Sequence, residues 1–270
     1  MEKQRKQQDR KSDWSGRWSM GLIAALVLVT ASSLDAQAPT AALAVAPAAP
    51  PATFSTKDWP GLDHYRAADA AVSPPVVGED RVVFMGDSIT NHWRLNDSST
   101  GFPGKPYLNR GIDGQVTAQM LVRFRQDVID LRPRVVVIMG GTDDIAGNMG
   151  DENLEQIENN LASMADLARV NDIRVVLSSV LPSSDFPWRR GMRPAESIAE
   201  LNSWIKRYAG EHHYIYVDYF SAMKDRRGGL PEKYSRDGVH PNAAGYRVMV
   251  PLAEQAIRKA LNFTSSDCHA

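Results

Sequence analysis

Three side chains of this sequence have the chemistry of a serine nucleophile, its base and an orienting acid: Ser88, His240 and Asp237. Asp237 and His240 stand three positions apart, directly before a proline. At this spacing the carboxylate can accept a hydrogen bond from one ring nitrogen, and the other nitrogen is left to take the proton of a serine hydroxyl. An isolated Asp-x-x-His segment is more often a helix cap with a surface histidine, so the surrounding elements decide between the two.

Ser88 follows an apolar stretch, Val82–Met85, which predicts a buried parallel strand that ends at Gly86. Asp87 and Ser88 then open the turn into the next segment, where the first amides of a helix can stabilise an anion. This placement suits a nucleophile that lies beside an oxyanion donor. An ordinary strand-to-helix turn with Ser88 as its N-cap is the alternative interpretation.

The elements that must position these residues alternate between strand and helix, which is typical of a parallel sheet with helices on both faces. The apolar patterns predict strands over 81–86, 107–112, 134–139, 173–181 and 214–217. They predict helices over 61–72, 115–131, 151–170, 194–211 and 241–261, and loops over 183–193 and 219–236. Asp151 is the predicted cap of the third helix, and Pro241 is the predicted start of the last. Polar residues that follow the strands should converge at one edge of the sheet.

Four blocks of residues after these strands resemble the motifs of the SGNH/GDSL family of serine esterases and lipases, over about residues 55–262. The blocks are Gly86-Asp87-Ser88, a block centred on Gly111, Gly141-Thr142-Asp143-Asp144, and Asp237-Gly238-Val239-His240-Pro241. The resemblance implies an α/β fold, a three-layer α/β/α sandwich with a five-stranded parallel sheet, and a reaction without a cofactor. It implies Ser88 as nucleophile, His240 as base and Asp237 as orienting acid, with oxyanion donors from the amides of Ser88 and Gly111.

The third block departs from the family pattern at Asp143, where an asparagine normally donates its side-chain amide to the oxyanion. An ionised carboxylate only accepts hydrogen bonds, and the loss of one oxyanion donor costs about 10²–10³ in kcat. We therefore expect Asp143 to lower turnover without abolishing the fold; it could donate only if its pKa were strongly raised. Three explanations stay open: a natural variant of altered activity, a compensating donor such as Asn148, or an introduced Asn-to-Asp change.

The predicted function is the hydrolysis of small acyl esters, either carbohydrate acetyl esters or short-chain and aryl esters. Trp188, on the loop after the fourth predicted strand, is a candidate substrate contact; a surface loop held by its aromatic side chains is the alternative. A binding protein on the same scaffold, catalytically weakened or silenced at Asp143, is the alternative function.

The composition excludes several other classes of protein. The formal net charge of −1 argues against nucleic acid as the main partner. The single cysteine, Cys268, cannot form an internal disulfide, and no Cys/His cluster suggests a metal site. The expected partner is a small-molecule or glycan ester, and the sequence does not predict an oligomeric state.

The N-terminal region has the layout of a secretory signal peptide over 1–38, with a basic start, an apolar run over 20–31 and a small-x-small site at 36–38. Residues 39–53 are predicted to be an Ala/Pro-rich linker, 54–262 the hydrolase domain and 263–270 a flexible tail. The sequence thus predicts a secreted or periplasmic enzyme without stable membrane insertion after cleavage. An uncleaved membrane anchor is the alternative.

Overall fold

The computed structural model describes residues 57–151 and 153–262. The predicted signal peptide, linker and tail lie outside these residues. The strands are β1 (Val82–Gly86), β2 (Tyr107–Gly111), β3 (Val135–Met139), β4 (Arg174–Ser178) and β5 (Ile215–Val217). The helices are α1 (Arg66–Ala70), α2 (Ser88–Asn91), α3 (Thr117–Asp127), α4 (Thr142–Ile145), α5 (Leu154–Arg169), α6 (Ala195–Glu211), α7 (Tyr219–Met223) and α8 (Ala243–Asn262), with a 3₁₀ helix at Ile129–Leu131.

The five strands form one parallel sheet in the order β2-β1-β3-β4-β5. β1 lies between β2 and β3, with Gly86 in register with Gly111 on one side and Met139 on the other. Because these three strands end level, the segments that follow them lie together along one edge of the sheet. The parallel sheet confirms the predicted fold class.

Alternate residues of β1 pack on opposite faces of the sheet. Val82 and Phe84 belong to a core closed by α8, whereas Val83 and Met85 belong to a second core closed by α3, α5 and α6. All four side chains are at most 2% exposed. Burial on both faces explains why the strand sequences are apolar without alternation, and it produces the three-layer arrangement.

The first predicted helix is much shorter in the structure than the predicted 61–72. Residues 62–65 form turns, and α1 covers only 66–70. Asp58 holds these turns, because its carboxylate accepts hydrogen bonds from the amides of Leu62 and Asp63 at 2.7 and 2.8 Å. A local capping interaction therefore competes with helix extension at this end.

The cap of α5 is Asn153 and not Asp151 as the sequence predicts. The Asn153 side chain accepts from the amide of Gln156 at 2.9 Å, and the Gln156 side chain in turn accepts from the Asn153 amide. This reciprocal capping box starts the helix later than a single acidic cap would.

Two elements near the C-terminal end of the domain also differ from the prediction. The segment 219–236, which the sequence predicts as a loop, contains α7, whose first turn is capped by the side chain of Asp218. α8 begins two residues after Pro241, because the Asn242 side chain accepts hydrogen bonds from the first amides of the helix. Over the residues described, no helix combines the length and apolar character needed to cross a membrane.

Candidate active site

Ser88 is the first residue of α2, immediately after β1, and is 6% exposed. Asp87 caps this short helix, since its Oδ1 accepts from the amide of Ile89 at 2.9 Å. The turn requires glycine at position 86, because a Cβ there would lie 2.7 Å from the carbonyl oxygen of Met139 and would collide with the Thr90 side chain. The strand end therefore presents the serine hydroxyl at the edge of the sheet.

His240 connects Ser88 to Asp237. The Oγ of Ser88 lies 2.9 Å from Nε2 of His240, and Nδ1 of the same ring lies 2.7 Å from Oδ2 of Asp237. Because a carboxylate only accepts hydrogen bonds, Nδ1 carries the ring proton and Nε2 is left to accept from the serine hydroxyl. The structure thus brings together the three residues that the sequence selects, although Ser88 and His240 are 152 positions apart.

The second oxygen of Asp237 fixes the turn that carries the histidine. Oδ1 accepts from the hydroxyl of Ser235 at 2.9 Å and from the amides of Val239 and His240 at 2.9 and 2.8 Å. Partial burial acts to raise the pKa of Asp237, but the hydrogen bonds from His240, the two amides and Ser235 outweigh it and hold the pKa well below its usual range. Ser235 was missed by the sequence reasoning, because a serine near an aspartate carries no distinct signal.

Asp143 lies in α4 among two other carboxyl groups, Asp87 and Asp144, and all three residues are at most 3% exposed. Burial raises the pKa of Asp143 to about 8, and the neighbouring charges of Asp87 and Asp144 add to the effect. Burial also raises the pKa of Asp87 to about 6. Oδ2 of Asp143 has no hydrogen-bond partner among the residues described. A carboxyl group with a pKa of about 8 is mostly protonated at pH 7.

Asn148 links Asp143 to the aromatic loop. Its Nδ2 donates to Oδ1 of Asp143 at 2.5 Å, and its Oδ1 accepts from Nε1 of Trp188 at 3.0 Å. The Trp188 ring stacks on Phe186, and its centroid lies 6.2 Å from that of His240. Trp188 thus lies beside the reactive residues, where a substrate contact is geometrically reasonable. The Asn148 side chain, considered above as a substitute donor, gives one of its two N–H groups to Asp143.

The Gly111 amide, which the sequence predicts as an oxyanion donor, is used by a hydrogen bond within its own strand. It donates to Oδ1 of Asn109 at 2.9 Å, because Gly111 ends β2 and the Asn109 side chain lies back along the strand. Gly114, three residues later, has a φ of 74° and lines a cleft whose lining also includes Trp188. Within the described ranges, the Gly114 amide donates no hydrogen bond. Since the Gly111 amide is bonded to Asn109, it is not free to donate to an oxyanion, contrary to the expectation from the sequence.

The cleft has a volume of about 550 Å³, in the usual range for small-ligand sites, roughly 300–1,000 Å³. Its lining consists of Asp58, Trp59, Gly61, Ile112, Asp113, Gly114, Gln115, Gln119, Asn148, Trp188 and Arg189. Asp113 also lies 3.3 Å from Nε2 of His92, whose ring centroid is 5.4 Å from that of His240. The sequence reasoning did not select His92, Asp113 or Trp59, because none of them belongs to a recognisable block.

The part of the chain that the structure describes holds no group of three or more His, Cys, Asp or Glu side chains arranged to bind a metal ion.

Known proteins resemble this chain in sequence and in structure. Residues 84–248 match the family model of the GDSL-like Lipase/Acylhydrolase family. A solved structure of a GDSL-like lipase from Bacteroides thetaiotaomicron is 44% identical, with a TM-score of 0.71, and the match covers 74% of this chain and 98% of that one. Esterase TesA of Pseudomonas aeruginosa is 28% identical over 179 residues, 65% of this chain and 82% of its own length. The uncharacterized lipoprotein YqeF of Bacillus subtilis is 26% identical over 194 residues, 66% of this chain and 71% of its own length.

Proposed function

Because the chain belongs to the GDSL-like Lipase/Acylhydrolase family, we propose that it is a serine esterase that hydrolyses small acyl esters. The observation that carries the proposal is the pair of contacts at His240, 2.9 Å to the Ser88 hydroxyl and 2.7 Å to the Asp237 carboxylate. Nucleophile, base and orienting acid are the parts that acyl transfer through a serine ester requires.

In the proposed reaction, Ser88 Oγ forms a bond to the ester carbonyl carbon while its proton moves to Nε2 of His240. The carbonyl π electrons move to oxygen, which becomes the oxyanion. His240 then gives the proton to the leaving alcohol as the carbon–oxygen bond breaks, and an acyl-Ser88 ester remains. A water molecule, deprotonated by His240, releases the acid and restores the serine. Asp237 stabilises the protonated imidazole throughout.

The proposed oxyanion donors are the amides of Ser88, at the N-terminus of α2, and Gly114, in the cleft. Gly114 replaces Gly111, whose amide is used by Asn109. Asp143 is the proposed third donor in its protonated form, which the raised pKa favours at neutral pH. Above about pH 8 the ionised carboxylate can no longer donate, and we expect reduced turnover there.

The buried carboxyl cluster is also compatible with a second function. A scaffold silenced at Asp143 would bind an ester or related ligand without turning it over. The intact contacts at His240 favour the enzyme, since a binding protein does not need a hydroxyl and an imidazole in hydrogen-bonding contact.

The test is the release of 4-nitrophenol from 4-nitrophenyl acetate by the full chain, with Ser88→Ala as the matched control. For the esterase we expect turnover that Ser88→Ala lowers by about 10⁴–10⁶, because the nucleophile is removed while the fold is kept. Equal rates in the two proteins would favour the binding protein. Intact folding of Ser88→Ala is checked by an unchanged melting temperature.

We further propose that the protein is exported, as the sequence of residues 1–38 predicts. The resemblance to a Bacillus lipoprotein supports export. Fractionation of cells that express the full chain would detect it outside the cytoplasm and shortened at the N-terminus; a full-length cytoplasmic product would contradict the proposal.

A further inference from the structure

A segment outside the matched family region forms one wall of the cleft. Residues 58, 59 and 61 line the cleft, although the match to the family begins only at residue 84. Two glutamines of low exposure hold this segment: Nε2 of Gln119 donates to the carbonyl of Trp59 at 2.6 Å, and Nε2 of Gln115 donates to the carbonyl of Pro60 at 2.8 Å. The main chain at Trp59 is therefore fixed against the start of α3.

Two tryptophans line the cleft and keep much of their surface in solvent. Trp59 is 37% exposed and Trp188 is 43% exposed, and both are among the few large apolar side chains with such exposure in the described residues. The main chain of Trp59 is fixed by a hydrogen bond at its carbonyl, and the indole of Trp188 is fixed by a hydrogen bond at Nε1. A tryptophan fixed in this way offers a flat apolar face at a low entropic cost of binding. Such a face fits the C–H side of a sugar ring.

The remaining lining is polar and suits hydroxyl groups. Asp113 keeps a side chain that is 58% exposed, and Asn148 lines the same cleft and accepts a hydrogen bond from Trp188. Arg189 is exposed, and its Nη2 donates to the carbonyl of Gly147 at 2.7 Å, which fixes the guanidinium at the rim. Carboxylate, amide and guanidinium groups together can accept from and donate to the hydroxyls of one saccharide.

The same lining disfavours two other occupants. Ile112 is the only aliphatic side chain among the described residues that line the cleft, so a long acyl chain would find little apolar surface beyond the two indoles. Among the described residues that line the cleft, Asp58 and Asp113 are negatively charged and only Arg189 is positively charged. The two carboxylates would therefore repel a phosphate ester more strongly than Arg189 would attract it. A neutral, hydroxyl-rich ligand with apolar ring faces fits these residues better than either.

We propose that the cleft is a subsite for the saccharide part of an O-acetylated carbohydrate, with Trp59 and Trp188 packing against its rings. The inference rests on the proposed esterase function and names the substrate class of the same site. The centroid separation of 6.2 Å between Trp188 and His240 puts the subsite next to the reacting group. An ester on a sugar hydroxyl can then reach Ser88 while the ring occupies the cleft.

The test compares acetylated xylobiose with 4-nitrophenyl acetate, an ester of similar acyl group without a saccharide. Trp59→Ala should lower the ratio of the two kcat/KM values by about tenfold, mainly through KM for the saccharide ester, since one ring contact is lost. Trp59→Phe keeps an aromatic face and should retain most of the ratio. Trp204→Ala removes an indole that stacks on Tyr208 in α6, outside the cleft lining, and should leave the ratio unchanged.

An unchanged ratio in Trp59→Ala, or hydrolysis of 4-nitrophenyl acetate without any hydrolysis of acetylated xylobiose, would overturn the subsite and leave the esterase in place. If neither ester is hydrolysed, the proposed function fails, and calorimetry of xylobiose with Ser88→Ala decides the subsite separately. If Ser88→Ala binds xylobiose and the added change Trp59→Ala abolishes this binding, the subsite is supported even then. If Ser88→Ala does not bind xylobiose, the subsite is overturned.

Discussion

Replacing Asp143 by asparagine should change how the rate depends on pH more than it changes the rate at neutral pH. With a pKa of about 8, about nine-tenths of Asp143 is protonated at pH 7 and about one-tenth at pH 9. The protonated form can donate a hydrogen bond and the ionised form cannot. The sequence alone predicts lowered turnover at Asp143, and with the pKa raised by burial we expect that loss mainly in alkaline solution.

The expected size follows from these fractions. Since a lost oxyanion donor costs about 10²–10³ in kcat, the rate should follow the protonated fraction and fall about tenfold between pH 7 and pH 9. The side-chain amide that Asp143→Asn introduces would donate at every pH, so this variant should match the parent within a few-fold at pH 7 and exceed it about tenfold at pH 9. The assay is kcat for 4-nitrophenyl acetate from pH 6 to 10, with the rate of Ser88→Ala subtracted at each pH.

A ratio of the two rates that does not change with pH would refute this reasoning. Asp143→Ala is the matched control, because it removes the carboxyl group and should be slow at every pH without an alkaline fall. Thermal melts check the protonation independently of activity. A carboxyl group whose pKa is raised from 3.8 to about 8 stabilises the fold less and less as pH rises between these values, so the gain in Tm from Asp143→Asn should grow over that interval.

Two further predictions concern the base and the strand end. Asp237→Asn should lower kcat by about 10⁴ without a loss of folded protein, because an amide at this position no longer fixes the His240 tautomer; a loss below tenfold, measured with the same ester, would contradict this. Gly86→Ala should lower the free energy of unfolding by about 1–3 kcal/mol and reduce kcat, because the new methyl group displaces the side chain of Thr90. Gly210→Ala, in the exposed C-terminal turn of α6, is the control and should raise the free energy of unfolding by about 0.5–1 kcal/mol. Urea unfolding measures the stability of both variants, and equal effects of the two substitutions would contradict the packing argument.

The fold could be predicted because each strand carries its own signal. The stretch at Val82 is apolar at consecutive positions, which occurs when a strand is buried on both faces, and the structure packs those residues into two separate cores. Helix ends were predicted less well, since caps such as Asn153 and Asp58 depend on side-chain hydrogen bonds that compete with one another locally. The spacing of apolar residues does not show which of two neighbouring polar side chains accepts a hydrogen bond from the first free amides of a helix.

The candidate site was predictable to the extent that strand ends determine it. Ser88 and Asp143 follow neighbouring strands, so their proximity follows from a parallel sheet. The Gly111 amide could not be assigned correctly, because its availability depends on the rotamer of Asn109 in the same strand. The sequence did not indicate Trp59 as a site residue. Its place in the cleft depends on hydrogen bonds from Gln115, just before α3, and from Gln119, in α3, and both lie far from Trp59 along the chain.

The protonation of Asp143 and the contact surface of Trp188 are physically connected. Asn148 accepts from Trp188 Nε1 and donates to Asp143 Oδ1, so one amide orientation serves both neighbours. That donated hydrogen bond acts to lower the pKa of Asp143, against burial, which raises it. We therefore expect a ligand that shifts the indole to change how strongly the amide stabilises the ionised carboxylate, and by linkage the proton on Asp143 to affect ligand binding in return. The residue that departs from the family pattern is thus joined through one side chain to the cleft in which we place the substrate.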